Sequence, residues 1–281
     1  MADLQNIKNL GSATRFAIGT PFERSFTPTL SENYVLVQNI LFGSEIYTEA
    51  IVQGTFEGSI SGMGFTIDGL KINGSSDLGL FEKINAQIED LILSNFVITG
   101  SSTNAGSLAG AIGTKNNSTV LNNITVTNTS IHGKYSVGGL IGTTFRAAVM
   151  SLIQINGSIS ASQGPGGGII GEQKGLKIEI SQSTNFSTVM SSSGATGGIG
   201  GFIGDTGTNS ETLITQSINV GNITGGHYNH GGFIGFGDDT SEITINNSYN
   251  IGTIYSSRTN AIYLGGLVGR SNNDFIMNNS Y

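Results

Sequence analysis

A five-residue block recurs along the chain at intervals of 29 to 34 residues. In each block two small residues, the second of them Gly, precede two apolar residues and a further Gly. Repetition at this spacing indicates a stacked repeat architecture, because each unit is too short to bury its own apolar side and needs neighbours on both sides. A degenerate copy comes first and ends in Glu82 rather than Gly. The blocks are Leu78–Glu82, Ala109–Gly113, Gly138–Gly142, Gly167–Gly171, Gly200–Gly204, Gly231–Gly235 and Gly265–Gly269.

Two further β-prone stretches lie between successive blocks, so each unit offers three, separated by Gly, Asn, Ser or Asp. Short strands of this kind pair in parallel with their equivalents one unit along, ~4.8 Å away. We therefore predict an all-β fold: a right-handed parallel β-helix, or solenoid. It would have about seven to eight rungs of roughly 30 residues with three short strands each, a rung being one full circuit of the helix. The clearest stretches are Leu121–Val126, Asn156–Ile159, Ile178–Ser183, Ile214–Asn219, Gly221–Thr224, Ile243–Tyr249, Gly252–Ile254 and Phe275–Tyr281.

The residue types within each unit fit this architecture. Alternation along the strands predicts Ile, Leu and Val facing inward, with Ser, Thr and Asn facing outward. The Gly pair allows two backbones to approach at a tight corner, and Asn at equivalent corners can stack into amide ladders. A β-propeller is the rival, but its blades need about 40 residues and four strands. The unit length favours the β-helix.

Composition narrows the possible functions. The chain has 43 Gly in 281 residues, 11% charged and 37% hydrophobic residues, which is too apolar for a disordered protein. Its net charge of −7 argues against a nucleic-acid partner, since such proteins carry a basic face. It has no Cys, which excludes disulfides and thiolate metal sites. No apolar run is long enough for a membrane-spanning helix, so none is predicted.

The segment Phe56–Ile67, which reads FEGSISGMGFTI, resembles the opening signature of GLUG-repeat β-helix proteins. The family's later elements follow in its order, and the resemblance covers about residues 34 to 281. Three positions depart from the pattern: Ser61 and Met63 replace Asp and Asn in a turn, and Glu82 replaces a block-closing Gly. The matching elements are the lead-in Tyr34–Ile40, then Leu70–Ile72, Gly79–Phe81, Ile88–Leu93 and the Gly-Gly blocks.

This resemblance implies an architectural role. Such repeats form the stalks and non-catalytic regions of bacterial surface adhesins and of large secreted peptidases of the IgA-cleaving type, and no catalytic residue comes with the motif. We therefore predict a non-enzymatic structural or adhesive module of a cell-surface or secreted protein, although no signal peptide is recognisable at Met1–Leu4. The alternative is a carbohydrate-binding or polysaccharide-active β-helix protein with a groove along one sheet.

Two motifs raise the question of a metal. His227 and His230 could contribute to a zinc site, which needs three or four ligands, but two turn histidines are the favoured interpretation. Gly235–Asp239 resembles the calcium-binding Gly-Asp repeats of other β-helices, which depend on strict tandem copies; it occurs once, and an acidic turn is favoured. No metal and no cofactor are predicted.

Carboxylates could act as acid, base or nucleophile on a sugar if two of them lay within ~5–10 Å of each other. The sequence gives no reason for any two to meet, so no catalytic residue is predicted and ligand-binding residues stay undetermined. The candidates considered are Glu57, Asp68, Asp77, Glu89, Asp90, Asp205, Glu211, Asp238 and Asp239.

Variable corners follow the Gly-Gly blocks. In solenoids such loops fall on one side and commonly form recognition surfaces, although ordinary loop variation explains them equally well. Surface glycans or host proteins are the partners we would expect there. The corners are Thr114–Asn117, Thr143–Arg146, Glu172–Lys174, Asp205–Thr208 and Arg270–Asn272.

The two ends of the chain differ. Residues 1–33 lack the repeat and are predicted to form an N-terminal cap, with Phe22, Phe26 and Leu30 covering the first rung; residues 34–281 form one β-helix. At the C-terminus the sequence stops within a repeat without a polar cap. We hypothesise that the helix continues in a longer protein, or that another chain covers the last rung by end-to-end association.

Overall fold

The structure is a computed structural model that describes residues 4–6, 30–36, 39–101, 104–113, 118–192, 196–226, 228–257 and 262–281. Within these residues the chain forms strands, turns and bends, and no helix. The strands assemble into three sheets, A, B and C, that run side by side along one axis. The fold is therefore a parallel β-helix of about seven turns, as predicted.

Sheet A is the widest of the three, and each rung contributes to it either one long bent strand or up to three short ones. Its strands are Leu4–Asn6, Asn33–Leu36, Ile40–Leu41, Ser59–Ser61, Thr66–Asp68, Lys71–Gly74, Gln87–Ser94, Val97–Gly100, Thr119–Gly133, Ala148–Ala161, Lys177–Ser181, Thr184–Asn185, Thr188–Ser191, Glu211–Thr215, Ile218–Asn219, Ile223–Gly225, Glu242–Asn246, Tyr249–Asn250, Ile254–Ser256 and Phe275–Asn278.

Sheets B and C are built from the Gly-Gly blocks and the residues beside them. Sheet B contains one strand per rung: Val52–Phe56, Phe81–Ile84, Ala109–Ile112, Ile141–Thr144, Ile170–Gln173, Ile203–Thr206, Ile234–Gly237 and Val268–Ser271. Sheet C is shorter: Val137–Gly138, Gly166–Gly167, Gly198–Gly200, Asn229–Gly231 and Tyr263–Gly265, extended towards the N-terminus by bridges at Ala105 and Leu78.

Successive rungs pair in parallel and in register. The first Gly of each complete Gly-Gly block stacks on the next, in the order Gly138, Gly167, Gly200, Gly231 and Gly265. Such stacking is what a solenoid of repeats requires, because each residue then meets its own equivalent one rung away. The exception to parallel pairing is Leu4–Asn6, which pairs antiparallel with Asn33–Leu36.

The core is a set of apolar columns inside the helix. In one column of sheet A the side chains of six successive rungs are buried and in register: Ile88, Leu121, Met150, Ile180, Ile214 and Ile245. Elsewhere in the core the rings of Phe202 and Phe233 pack with their centroids 4.6 Å apart. Because the columns repeat in every rung, each rung buries its apolar side chains against its neighbours.

One register position of sheet A repeats the same unusual backbone conformation from rung to rung. In seven successive rungs the residue after the first strand segment has a left-handed backbone with φ between 48° and 56°, and these residues share one register position. Asn and Asp tolerate this conformation better than most residues, which explains four of the seven. The residues are Asp90, Asn123, Leu152, Gln182, Gln216, Asn247 and Asn279.

The second Gly of the block lies in close contact with the next rung. A methyl group on Gly201 would collide with the carbonyl oxygen of Gly232 and with the side chain of Asn219. Gly168 and Gly232 face the same obstacles one rung away on each side. The Gly pair is therefore needed because backbone and side chain already fill the space that a Cβ would take.

The inside of the helix is not entirely apolar, and here the sequence-based prediction was wrong. Asn185 and Asn219 are fully buried, although Asn was expected to face outward. Their amides bond along the axis: Nδ2 of Asn185 donates to Oδ1 of Asn219 at 2.8 Å, and Nδ2 of Asn219 donates to Oδ1 of Asn250 at 2.7 Å. Asn can lie inside because each amide finds its partners in the neighbouring rungs.

A serine ladder runs beside this amide ladder. The backbone N–H of Ser183 donates to Oγ of Ser217, and that of Ser217 donates to Oγ of Ser248, at 3.2 and 3.1 Å. Each hydroxyl in turn donates to the carbonyl oxygen two residues earlier in its own rung. The hydroxyl groups of this ladder are thus hydrogen-bonded, which offsets the cost of burying them.

The two ends of the helix differ in exposure. At the N-terminal end Leu30 packs against the core, whereas Phe22 and Phe26 lie outside the described residues, so the boundary at residue 33 stays a prediction. At the other end the last strand, Phe275–Asn278, is exposed along its whole length. The ring of Tyr281 stacks on that of Tyr249 with the centroids 5.6 Å apart.

Candidate functional site

Several of the nine candidate carboxylates serve as braces between rungs. Four of them accept a hydrogen bond from an Asn side chain of the following rung, at 2.6 to 2.9 Å. Stacked equivalent carboxylates would repel one another, whereas an Asn one rung away supplies an N–H donor. The pairs are Asp68 with Asn95, Asp77 with Asn104, Asp90 with Asn123 and Asp239 with Asn272.

The other five candidate carboxylates have different surroundings. Glu211 pairs with Lys177 at 2.8 Å at the start of its sheet A strand. Glu89 is exposed on sheet A, and Glu57 lies on the loop after Phe56. The structure brings Asp205 and Asp238 close enough for Asp238 to affect the pKa of Asp205.

The position that follows the last Gly of each block forms a column on sheet B. Four of its five members are the first residues of variable corners singled out by the sequence; the fifth is Phe236, and the corner Thr114–Asn117 lies outside the described residues. Pairing in register makes successive members immediate neighbours, ~4.8 Å apart. The column reads Thr143, Glu172, Asp205, Phe236 and Arg270.

A groove of about 460 Å³ runs between the last three members of this column and sheet C. In each rung one residue of sheet C faces one of sheet B. The backbone N–H of Gly198 donates to Oδ1 of Asp205, and two rungs later the ring centroid of Tyr263 lies 4.9 Å from Cζ of Arg270. The lining residues are Thr196, Asp205, Tyr228, Asn229, Phe236, Tyr263 and Arg270.

The two ends of the groove differ in charge. Burial raises the pKa of Asp205 to about 8, and the nearby carboxylates of Glu172 and Asp238 act in the same direction, against the hydrogen bond from Gly198. Asp205 is therefore mainly protonated at neutral pH and can donate as well as accept a hydrogen bond. At the other end Arg270 is exposed and carries a fixed positive charge.

Aromatic side chains separate these two ends. The ring of Phe236 lies between Asp205 and Arg270 in the column, 5.7 Å from Cζ of Arg270. Tyr228 and Tyr263 are 39% and 45% exposed, so part of each side chain is open to solvent. An apolar groove with a few polar groups at its ends has the general character of a binding site for a small molecule.

Sequence reasoning considered Asp205 as one of nine carboxylates without predicting a site there, and it did not consider the aromatic residues as ligand contacts. Phe236 was taken as part of a calcium motif, Tyr228 was passed over between two histidines, and Tyr263 was not considered. The position of each residue within its repeat could have revealed the site. Aligning the blocks puts Glu172, Asp205 and Phe236 in one column, and a column of a solenoid is a continuous surface.

The structure also gives the surroundings of the two motifs that raised the question of a metal. The sequence favoured two solvated turn histidines, and for His230 this was wrong: it is fully buried in a strand of sheet C, where burial lowers its pKa to about 4. His227 lies outside the described residues. Asp238 holds its own loop: its Oδ1 accepts from the N–H of Asp239 at 2.7 Å, and its carbonyl accepts from Ser241. Across the described part of the chain no three His, Asp or Glu side chains are grouped as metal ligands.

A second groove, of about 590 Å³, lies on the outer face of sheet A. Amide, hydroxyl and backbone groups make up most of its lining, and Val97 is its apolar contribution: Asn95, Val97, Asn128, Thr129, Ser130, Asn156, Gly157 and Ser158. It holds neither a charged nor an aromatic side chain. The groove between sheets B and C is therefore the stronger candidate for a binding site.

Comparison with known proteins supports the fold and gives a hint of context. The solved structure of a Bacteroides ovatus protein, provisionally named as an immunoglobulin A1 protease, matches 89% of this chain and 78% of its own with a TM-score of 0.58 and 15% identity. Halomucin from Haloquadratum walsbyi is 31% identical over 156 residues, which is 54% of this chain and 2% of that protein. No family model matches the chain.

The matched segment spans a very small part of halomucin, and the structural match is too distant in sequence to show more than the fold. Both similarities are to proteins whose names suggest the cell surface or secretion. Among the described residues none forms a helix able to cross a lipid bilayer.

Proposed function

We propose that the chain is a non-enzymatic module of a secreted or cell-surface protein, a rigid support that presents contacts at its variable corners. The observation that carries the proposal is the use of polar side chains as braces. Four carboxylate–amide pairs, the buried Asn ladder and the Ser ladder all join one rung to the next. Hydrogen bonds along the axis favour a rigid rod, because bending it would break several of them at once.

The proposal includes membership of the GLUG-repeat family. Its support is the ordered series of motifs from Phe56 onward together with the parallel β-helix that these motifs form. Sheet B begins at Val52–Phe56, so the opening signature starts at the end of a sheet B strand and continues into sheet A. The names of the two matched proteins agree with a surface or secreted setting.

Protease shaving of intact cells of the producing organism tests the location. We expect added protease to release peptides of this protein from the cell surface, or mass spectrometry to find it in the medium. Recovery of the protein only after the cells are lysed, with a cytoplasmic marker protein behaving identically, would contradict the proposal.

A polysaccharide-active enzyme is the second candidate, favoured by the carboxyl group of Asp205 beside exposed aromatic rings. The raised pKa of Asp205 is what a general acid needs at neutral pH. Incubation of the purified chain with a panel of polysaccharides separates the two candidates. We expect no release of reducing ends; release that Asp205→Asn abolishes would establish the enzyme instead.

A further inference from the structure

The groove between sheets B and C holds an exposed cation that is oriented by aromatic rings. Cζ of Arg270 lies 4.9 Å from the ring centroid of Tyr263 and 5.7 Å from that of Phe236. In the described part of the chain, no carboxylate lies within ion-pair distance of this guanidinium. Contacts with two rings restrict its position while leaving its N–H groups available, and a planar carboxylate matches their geometry with two parallel hydrogen bonds.

The rings beside Arg270 suit the face of a sugar. Tyr228 and Tyr263 present half-exposed rings to the groove. The C–H bonds on one face of a pyranose are weakly positive and attract the negative face of an aromatic ring. Tyr also adds a hydroxyl that can bond to the sugar's own hydroxyl groups.

The opposite end of the groove offers hydrogen-bonding side chains. Asp205 lies two rungs from Arg270, ~10 Å away, and Thr196 and Asn229 lie beside it in the lining. These side chains are suited to hydroxyl groups, which both donate and accept. A ligand with a carboxylate at one end and hydroxyl groups at the other fits the length and polarity of the groove.

We propose that this groove binds a carboxylate-bearing saccharide, with Arg270 holding the carboxylate, Tyr228 and Tyr263 packing against the sugar face, and Asp205 bonding to a hydroxyl group. The inference rests on the proposed function and gives it a ligand class. An acidic peptide is the main competitor, since it too could pair with Arg270. Peptides bind well to sheets at unpaired edges, but the strands that flank the groove between residues 196 and 237 are already paired on both sides. Among the described strands of the groove, an unpaired side is left at Tyr263–Gly265 and Val268–Ser271.

Titration of the full chain with two matched disaccharides tests the proposal. Cellobiouronic acid and cellobiose differ by one carboxylate, and binding can be followed by calorimetry or by the fluorescence of the eight Tyr, since the chain has no Trp. We expect cellobiouronic acid to bind at least ten-fold more tightly than cellobiose. Arg270→Gln should reduce its affinity at least ten-fold, and Arg270→Lys by less.

The chain supplies a matched control pair. Tyr135 is 46% exposed, close to the 45% of Tyr263, and Nζ of Lys134 lies 5.3 Å from its ring centroid, yet neither residue lines the groove. Tyr263→Ala should weaken binding at least five-fold, whereas Tyr135→Ala and Lys134→Gln should leave it unchanged. Circular dichroism of each variant checks that the β-helix is intact.

Three outcomes would overturn the proposal: equal affinity for the two disaccharides, no loss of affinity in Arg270→Gln, or tighter binding of a diglutamate peptide than of cellobiouronic acid. Absence of any binding by cellobiouronic acid overturns it as well. None of these results bears on the shaving experiment, so failure of the ligand class and failure of the surface role are told apart.

Discussion

Nδ2 of Asn185 donates a hydrogen bond to Oδ1 of Asn219, 2.8 Å away, in the fully buried interior of the β-helix. The same Asn219 donates to Oδ1 of Asn250 and to the carbonyl oxygen of Gly221. Its side chain also fills the space beside Gly201, where a methyl group would collide with it. One buried amide thus links three rungs and accounts for the second Gly of a Gly-Gly block.

Replacing Asn219 should destabilise the protein through its neighbours. In Asn219→Ala the Nδ2 of Asn185 loses Asn219 as acceptor but keeps the carbonyl oxygen of Ser187, and Oδ1 of Asn250 loses Asn219 as donor but keeps the N–H of Gly252. Each lost hydrogen bond costs about 0.5–1.5 kcal/mol, so the two losses together cost about 1–3 kcal/mol. We expect the free energy of unfolding to fall by about 1–3 kcal/mol, measured by urea denaturation with circular dichroism. Asn156→Ala, at an exposed amide, should change it by less than about 0.5 kcal/mol. An equal effect of both changes would contradict the ladder.

Two glycines at the same place in their blocks should respond differently to a methyl group. Gly201→Ala would force the added carbon against the carbonyl oxygen of Gly232 and the side chain of Asn219. We expect a loss of at least about 3 kcal/mol, or failure to fold. Gly266→Ala in the last rung meets nothing within 4 Å and should be neutral or stabilise by up to about 1 kcal/mol. Thermal and urea unfolding of both variants measure these changes. Similar losses of stability in the two variants would contradict the explanation.

The buried carboxyl of Asp205 should make stability fall as the pH rises. Burial raises the pKa of Asp205 to about 8 from an ordinary value near 3.8, so between these values the unfolded chain releases a proton that the folded chain keeps. The contribution of Asp205 to the free energy of unfolding is therefore fully present below about pH 4 and is lost as the pH rises to 8. Urea midpoints between pH 4 and 8 should decline less in Asp205→Asn. Parallel pH profiles of the two proteins would rule this out.

His230 should have the opposite dependence. Burial lowers the pKa of His230 to about 4 from an ordinary value of 6.5, so below pH 6.5 the unfolded chain gains a proton that the folded chain does not take up. The contribution of His230 to the free energy of unfolding is present above pH 6.5 and is lost as the pH falls to 4. Its register neighbours are Ile199 and Leu264, so His230→Leu should fit and should retain more stability at pH 5. Denaturation at pH 7 and pH 5 measures the difference, and an unchanged acid sensitivity would argue against this assignment.

The fold was largely predictable from the sequence. The spacing of the Gly-Gly blocks predicted a parallel β-helix. In the structure Gly200 pairs in register with Gly231 of the next rung, as that prediction requires. The prediction was possible because a solenoid repeats local rules: each rung meets a copy of itself, so the period of the sequence is the period of the structure. The direction in which Asn185 points was not predictable, since its burial depends on an acceptor 34 residues away.

The candidate site was likewise predictable from the sequence only in part. The sequence by itself determined which residues share a register position, and so which side chains, such as Asp205 and Phe236, are stacked neighbours. Only the tertiary structure decided that sheets B and C form a groove there, bringing Tyr263 of one sheet against Arg270 of the other. The physical reason is that register follows from backbone pairing, which the repeat encodes, whereas the approach of two sheets depends on how each corner packs.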